Sequence, residues 1–137
     1  MWKALVYARE VCTRSWHKPF NLEDIIFMAY LIEPEENIYG IRNGGVTVGG
    51  RPKMDHRNVP RALTNLIEAA QEDRVEADEF YHEFEEIHPF FDGNGRTGSI
   101  LWNWQRDTLY AQEDPPDFWG FYKATGIPRF TRGETFA

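Results

Sequence analysis

The sequence predicts a mainly α-helical single domain, spanning 1–137, with a β-hairpin flap at about residues 39–48 lying over a loop between two helices. Three observations predict it. Apolar residues recur at helical spacing over 59–70 and 77–87. Asn43-Gly44-Gly45 separates two short β-type runs. No linker, internal repeat or low-complexity tract divides the 137 residues, a length that holds one hydrophobic core. Five Trp, ten Phe and six Tyr are a heavy load for that length, so large rings are expected to close the core.

Taken in order, Asn21-Leu22-Glu23-Asp24 reads as a helix start with a capping side chain and acids in the first turn. Pro34 stops this helix near Glu33, and its nearly all-round apolar surface places it centrally. Tyr39-Gly40-Ile41-Arg42 and Val46-Thr47-Val48 form the two arms of the hairpin, which must pack on a helical body because a lone hairpin is marginal in water. Asn58 is placed to cap a helix with Val59, Ala62, Leu63, Leu66, Ile67 and Ala70 on one face. The next helix, Glu76 to Ile87, has its stripe at Ala77, Phe80, Phe84 and Ile87, and Pro89 disfavours helical geometry at His88. A glycine-broken loop, Phe91 to Gly95, leads into a helix with Ile100, Leu101, Trp104 and Thr108 on one face, ending before Asp114-Pro115-Pro116. A short helix over Asp117 to Ala124 stops at Gly126, and Trp119, Phe121 and Tyr122 on it read as core or as an aromatic partner patch.

Lys plus Arg number 15 against 22 for Asp plus Glu, a formal net charge of −7, so no nucleic-acid partner is expected. Cys12 is the single cysteine, which excludes an intrachain disulfide and a cysteine-based zinc framework and fits a reducing compartment. The longest apolar run, Ile25 to Ile32, is too short to span a bilayer, and the N-terminus has no signal-type apolar region. The expectation is a cytoplasmic protein without a membrane partner.

Chemistry concentrates in Ile87-His88-Pro89-Phe90-Phe91-Asp92-Gly93-Asn94-Gly95-Arg96-Thr97-Gly98. Gly93-x-Gly95-x-x-Gly98 has dinucleotide-fingerprint spacing but follows a helical stripe where that fingerprint needs a strand. Asp92-x-Asn94 fails as a calcium loop, because Arg96 stands in a ligand position. His82-Glu83-x-x-Glu86 lacks the second histidine of a zinc-protease helix. What remains is a turn whose backbone N–H groups converge at a helix N-terminus, an anion site with phosphate as its natural ligand. Arg96 sits in the first helical turn, where the helix dipole disfavours a cation unless an anion is nearby. Asp92 is placed to hold a magnesium ion bridging phosphate oxygens, and His88, with an ordinary pKa of about 6.5, suits a general base.

His88-Pro89-Phe90-x-Asp92-Gly93-Asn94-Gly95-Arg96 resembles the signature of the Fic (Fic/Doc) family at every position through the arginine. The order of flap, amphipathic helix and motif helix is similar over roughly Tyr39 to Trp104. The resemblance implies a Fic-like helical bundle that transfers a nucleoside monophosphate from ATP or another nucleoside triphosphate to a Tyr, Ser or Thr hydroxyl of a target protein. On that likeness His88 is the base, Asp92 takes Mg2+, and Gly93, Asn94 and Gly95 hold the α- and β-phosphates. Arg96 neutralises the leaving pyrophosphate, and Phe90 anchors the loop in the core. Ile41, Arg42, Val46, Thr47 and Val48 of the flap position the target by adding its strand. Gly95 sets the chain apart from the Doc-type kinases, which carry lysine there. Trp102 and Asn103 are candidates to touch the base.

The family pattern continues with a second arginine where this chain has Ser99. A charged phosphate contact of that kind contributes roughly 1.5 to 3 kcal/mol, about one to two decades in affinity or rate. No inhibitory segment of the family's form is recognisable at either terminus, so an antitoxin-type inhibitory partner would act in trans. A toxin or effector role follows from the resemblance. The alternative is a Fic-fold protein with impaired catalysis, serving as a nucleotide-binding or structural interaction module.

Overall fold

The computed structural model describes residues 1–14 and 19–116. Among these lie five α-helices, α1 (Trp2–Arg14), α2 (Leu22–Ile32), α3 (Val59–Gln71), α4 (Ala77–Ile87) and α5 (Asn94–Gln105), a 3-10 turn (His56–Asn58), and one hairpin, β1 (Thr47–Val48) with β2 (Arg51–Pro52). The expected mainly α architecture with a hairpin is therefore observed. The segment 117–124, with Trp119, Phe121 and Tyr122, lies outside the described residues.

Helix α2 starts as its sequence dictates. The Asn21 side chain accepts from the Asp24 N–H at 2.8 Å while the Asp24 carboxylate accepts from the Asn21 N–H at 3.0 Å, a reciprocal capping box. Its inner face buries Ile25, Met28, Ala29 and Ile32, and it packs against α1 and α5. Phe27 and Tyr30 on the opposite face are exposed, so α2 is not enclosed all round. The first helix, α1, was not anticipated: it carries Ala4, Leu5, Ala8 and Cys12 inward at i, i+1, i+4 and i+8, but no capping residue announces its start.

Most of the α3 and α4 stripes is buried, Val59, Leu63, Leu66, Ile67 and Ala70 on one and Phe80, Phe84 and Ile87 on the other, while Ala62 and Ala77 at their margins are half-buried. Asn58 makes no capping bond; Asp55 caps the 3-10 turn through the Arg57 N–H at 2.9 Å, and Pro60 opens the helix. At the centre, Phe20 meets Phe80 and Trp104 edge-on at 5.1 and 5.4 Å, and Phe80 stacks on Phe84 at 6.2 Å. The aromatic load does close the core.

Two boundaries are corrected. The hairpin turn is Gly49-Gly50, with φ of 60° and 82°, and not Asn43-Gly44-Gly45; Thr47 pairs with Pro52 and Val48 with Arg51. Two adjacent glycines at positive φ make the tight turn that matches strand twist. Ile41 and Arg42 are consequently not strand residues. Helix α5 ends at Gln105, because Asp107 turns left-handed (φ 61°) and the Asn103 side chain gathers the chain beyond it. Asn103 Oδ1 accepts from the Glu113 N–H at 2.9 Å and from the Thr108 hydroxyl at 2.7 Å. Thr108 thus lies past the helix.

Candidate active site at the α4–α5 junction

His88 ends α4 in the left-handed conformation, φ 51° and ψ 65°, an arrangement that costs a non-glycine residue roughly 1–2 kcal/mol. Pro89 bars the right-handed alternative, and the backbone on both sides of His88 is held from the chain leading to β1. The Arg42 N–H donates to the Pro89 carbonyl at 2.9 Å, and the Arg42 guanidinium donates to the carbonyls of His88 and Ile87 at 2.6 and 3.2 Å. Arg42 is 2% exposed. Its assignment to a target-facing flap is therefore corrected: the side chain turns inward, because four backbone carbonyls await it there. Ile41 beside it is partly buried against the core, and Val46, Thr47 and Val48 alone of the expected flap residues belong to or adjoin the hairpin. No third strand pairs with that hairpin among the described residues.

Beyond Pro89 the chain is pinned from several directions. Phe90 is fully buried, as expected of an anchor. The Asn94 amide donates to the Phe90 carbonyl at 2.8 Å and accepts from the Phe90 N–H at 3.0 Å, so its side chain braces the loop on itself. The Thr97 hydroxyl and N–H both donate to the Gly93 carbonyl, at 2.8 and 2.9 Å. From the far end of α2, the buried Asn37 amide donates to the carbonyls of Ala29 and Asp92 at 3.0 and 2.9 Å. Nothing in the sequence near Asn37 signals that role.

This bracing presents a helix N-terminus to the outside. Asp92 is exposed, and its Oδ1 accepts from the Gly93 N–H at 2.8 Å. No side chain among the described residues caps α5. The N–H groups of Asn94, Gly95 and Arg96 lie in its first turn, where no intrahelical acceptor exists. The three glycines differ in purpose. Gly93 has φ 75°, and a Cβ there would sit 2.9 Å from Ile32 Cγ2; a Cβ on Gly98 would press on Tyr81 and Phe84 of α4 at 3.1 and 3.2 Å. Both serve the fold, and a helix, α4, precedes the loop where a dinucleotide fingerprint needs a strand. A Cβ on Gly95 would meet nothing within 4 Å. No contact among the described residues accounts for glycine at 95.

Arg96 does find an anion. Its guanidinium donates to Glu33 Oε1 at 2.6 Å, with the side chains 43% and 30% exposed. A pair so open to water contributes at most about 1 kcal/mol. A polyphosphate can compete for it. Trp102 and Asn103, considered for the base, are engaged elsewhere: Trp102 Nε1 donates to Asp78 at 2.8 Å with Arg106 over its ring, and the Asn103 amide bonds the Ser99 and Glu113 carbonyls.

The His88 ring is pushed down to about 4, first by burial and next by the Lys53 ammonium, with smaller opposition from the Glu85 backbone and Asp92. Its Nδ1 is buried and meets no side-chain partner among the described residues. Lys53 is itself lowered by burial, with Glu86 and Glu85 opposing, and the Glu85 carboxyl is raised by burial. In the free protein the ring is neutral and able to accept a proton throughout the neutral range. Expected from this is a kcat/KM profile whose acid limb falls as pH drops toward about 4, where the ring protonates; a limb centred near 6.5 contradicts it. Stability follows the same sign. The unfolded chain binds the His88 proton more readily, so this contribution is complete above about 6.5 and declines between there and about 4.

Fold and loop together bring to one place a helix N-terminus that no side chain among the described residues caps, the His88 ring, and the Arg96 guanidinium paired with Glu33. The chain belongs to the Fic/DOC family, whose sequence model matches residues 19–105. No curated protein matches the chain. At family level, membership points to AMPylation-type transfer, to the use of ATP and Mg2+, and to target-protein and antitoxin interactions. No helix among the described residues is long and apolar enough to cross a membrane.

Proposed function

We propose that the protein transfers a nucleoside monophosphate from ATP or another nucleoside triphosphate to a Tyr, Ser or Thr hydroxyl of a target protein, with His88 as base. The observation that carries the reading is the start of α5, where among the described residues no side chain caps the first-turn N–H groups and a Cβ on Gly95 would meet nothing within 4 Å. Those N–H groups receive the α- and β-phosphates, and Arg96 exchanges Glu33 for the leaving pyrophosphate. The target hydroxyl loses its proton to the His88 ring as its oxygen bonds to the α-phosphorus. The bond from that phosphorus to the bridging oxygen breaks, and pyrophosphate departs. Val46, Thr47 and Val48 place the target by strand addition.

A magnesium ion fits the chemistry of the loop. Among the described residues no group of three His, Cys, Asp or Glu side chains is placed to hold a metal ion. Magnesium is commonly held by one carboxylate together with phosphate oxygens and water, and Asp92 is that carboxylate. When bound, the ion neutralises phosphate charge.

Transfer of label from α-phosphate-labelled triphosphate to protein tests the proposal. Label arriving from the γ-position alone sinks it. Ser99 favours one second reading, a nucleotide-binding or interaction module with impaired catalysis, for which nucleotide binding is retained and no covalent product forms. The Glu33 pairing adds a separate expectation: Glu33→Gln lowers the nucleotide KM by about two- to fivefold, the equivalent of removing up to about 1 kcal/mol of competition. An unchanged or raised KM shows that Glu33 does not compete with the phosphates.

A further inference from the structure

We propose that Arg42 is a positioning residue that registers His88 against the hairpin segment through one buried guanidinium; its consequence for catalysis rests on the nucleotidyl-transfer reading. Nε donates to the His88 carbonyl at 2.6 Å, Nη1 to the Gly44 carbonyl at 2.8 Å, and Nη2 to the carbonyls of Met54 and of Ile87, the latter at 3.2 Å. Gly44 lies before β1 and Met54 lies after β2, so both ends of the hairpin segment and the last turn of α4 converge on a single side chain. The Arg42 N–H adds the Pro89 carbonyl at 2.9 Å. Three successive carbonyls, from Ile87 to Pro89, are thereby held by one residue.

The reason to look beyond a fold staple is the histidine itself. A general base is ordinarily oriented by a partner on its second ring nitrogen. Here the Glu85 backbone is the one hydrogen-bonding neighbour of the ring, and Nδ1 meets no side-chain partner among the described residues, so the direction of the ring depends on how its backbone is carried. The direction is set through the backbone, where His88 occupies a left-handed conformation that must be held from outside. Arg42 holds it, and the same planar fork fixes the segment against which the target strand is placed. Four of the five guanidinium N–H groups are engaged; an ammonium has three donors and no such plane, so lysine does not reproduce the set.

The test uses the full chain. Arg42→Lys and Arg42→Gln are compared with wild type by thermal melting, by the NMR resonance of the His88 ring Cε1–H at fixed pH, and by steady-state transfer. Expected are a displaced or multiplied His88 resonance, a kcat reduced by about tenfold to a hundredfold, and a nucleotide KM within about twofold of wild type. Millimolar guanidinium is expected to restore part of kcat in Arg42→Ala. Folded variants with an unmoved His88 resonance and an unchanged kcat overturn the proposal, as does a rise in KM alone.

Should every variant fail to fold, the wild-type guanidinium decides. Separate, slowly exchanging Nη–H resonances are expected of a fork held by four carbonyls, and a rapidly rotating guanidinium overturns it. Because the resonance measurements need no turnover, absence of transfer in the wild type counts against the nucleotidyl-transfer reading while leaving the positioning claim decided on its own evidence.

Discussion

His88→Ala is expected to lower transfer by about two to four decades, the usual contribution of a positioned general base, while leaving the fold in place. Stability is expected to change little. The left-handed backbone at position 88 is held by Arg42, with Pro89 disfavouring the right-handed alternative, and neither residue is touched. Replacing a core anchor on the same loop acts in the opposite sense: Phe90→Ala opens a cavity at a fully buried site and costs about 3–5 kcal/mol. A melting temperature close to wild type combined with lost transfer therefore assigns the defect to chemistry.

The second large effect is expected from a single methyl group at either of two glycines, with contrasting outcomes. Gly93→Ala places a Cβ 2.9 Å from Ile32 Cγ2 on a residue with φ 75°, and should destabilise by at least about 1–2 kcal/mol from the backbone alone. Gly95→Ala meets no atom of the described residues within 4 Å and lies inside α5, where alanine is favoured over glycine by up to about 1 kcal/mol. Its melting temperature should stay level or rise. Nucleotide binding and transfer should nevertheless fall by about tenfold or more, because the methyl group occupies space next to the N–H groups assigned to phosphate, and lost contacts to a charged ligand contribute about 1.5–3 kcal/mol each. Isothermal titration with ATP and Mg2+ alongside thermal melting separates the two glycines. If Gly95→Ala binds nucleotide as tightly as wild type, the phosphates do not lie over that turn.

How much of this was legible in sequence depended on how local the cause was. The motif was readable because its constraints act between neighbours: Pro89 decides the backbone of His88, and Gly93 permits the turn that opens α5. The stripes on α3 and α4 were readable for the same reason, each helix declaring its inner face every three or four residues. The hairpin was readable in kind but not in place. Two glycine pairs compete, at 44–45 and 49–50, and the choice was made by Arg42, whose guanidinium finds its carbonyls 12 to 46 residues away as well as next door at Gly44. An arginine flanked by Ile41 and Asn43 gives no sign of being buried.

The same distance in sequence hid the supports of the site. Glu33, Asn37 and Lys53 reach the loop from α2, from the turn after it and from beyond β2, and none sits in a pattern that marks it. The expectation that Arg96 needs an anion was correct in physics, yet in the free protein that anion is the Glu33 carboxylate. Among the described residues, the donors at this helix start that no side chain caps are its backbone N–H groups.

Intact-mass spectrometry of the protein and of co-incubated target candidates, with Mg2+ and each of the four nucleoside triphosphates in turn, tests the central claim most directly. The account predicts a gain of one nucleoside monophosphate with at least one triphosphate, absent in His88→Ala. No mass change with any of the four, or a gain of a phosphoryl group alone, contradicts it.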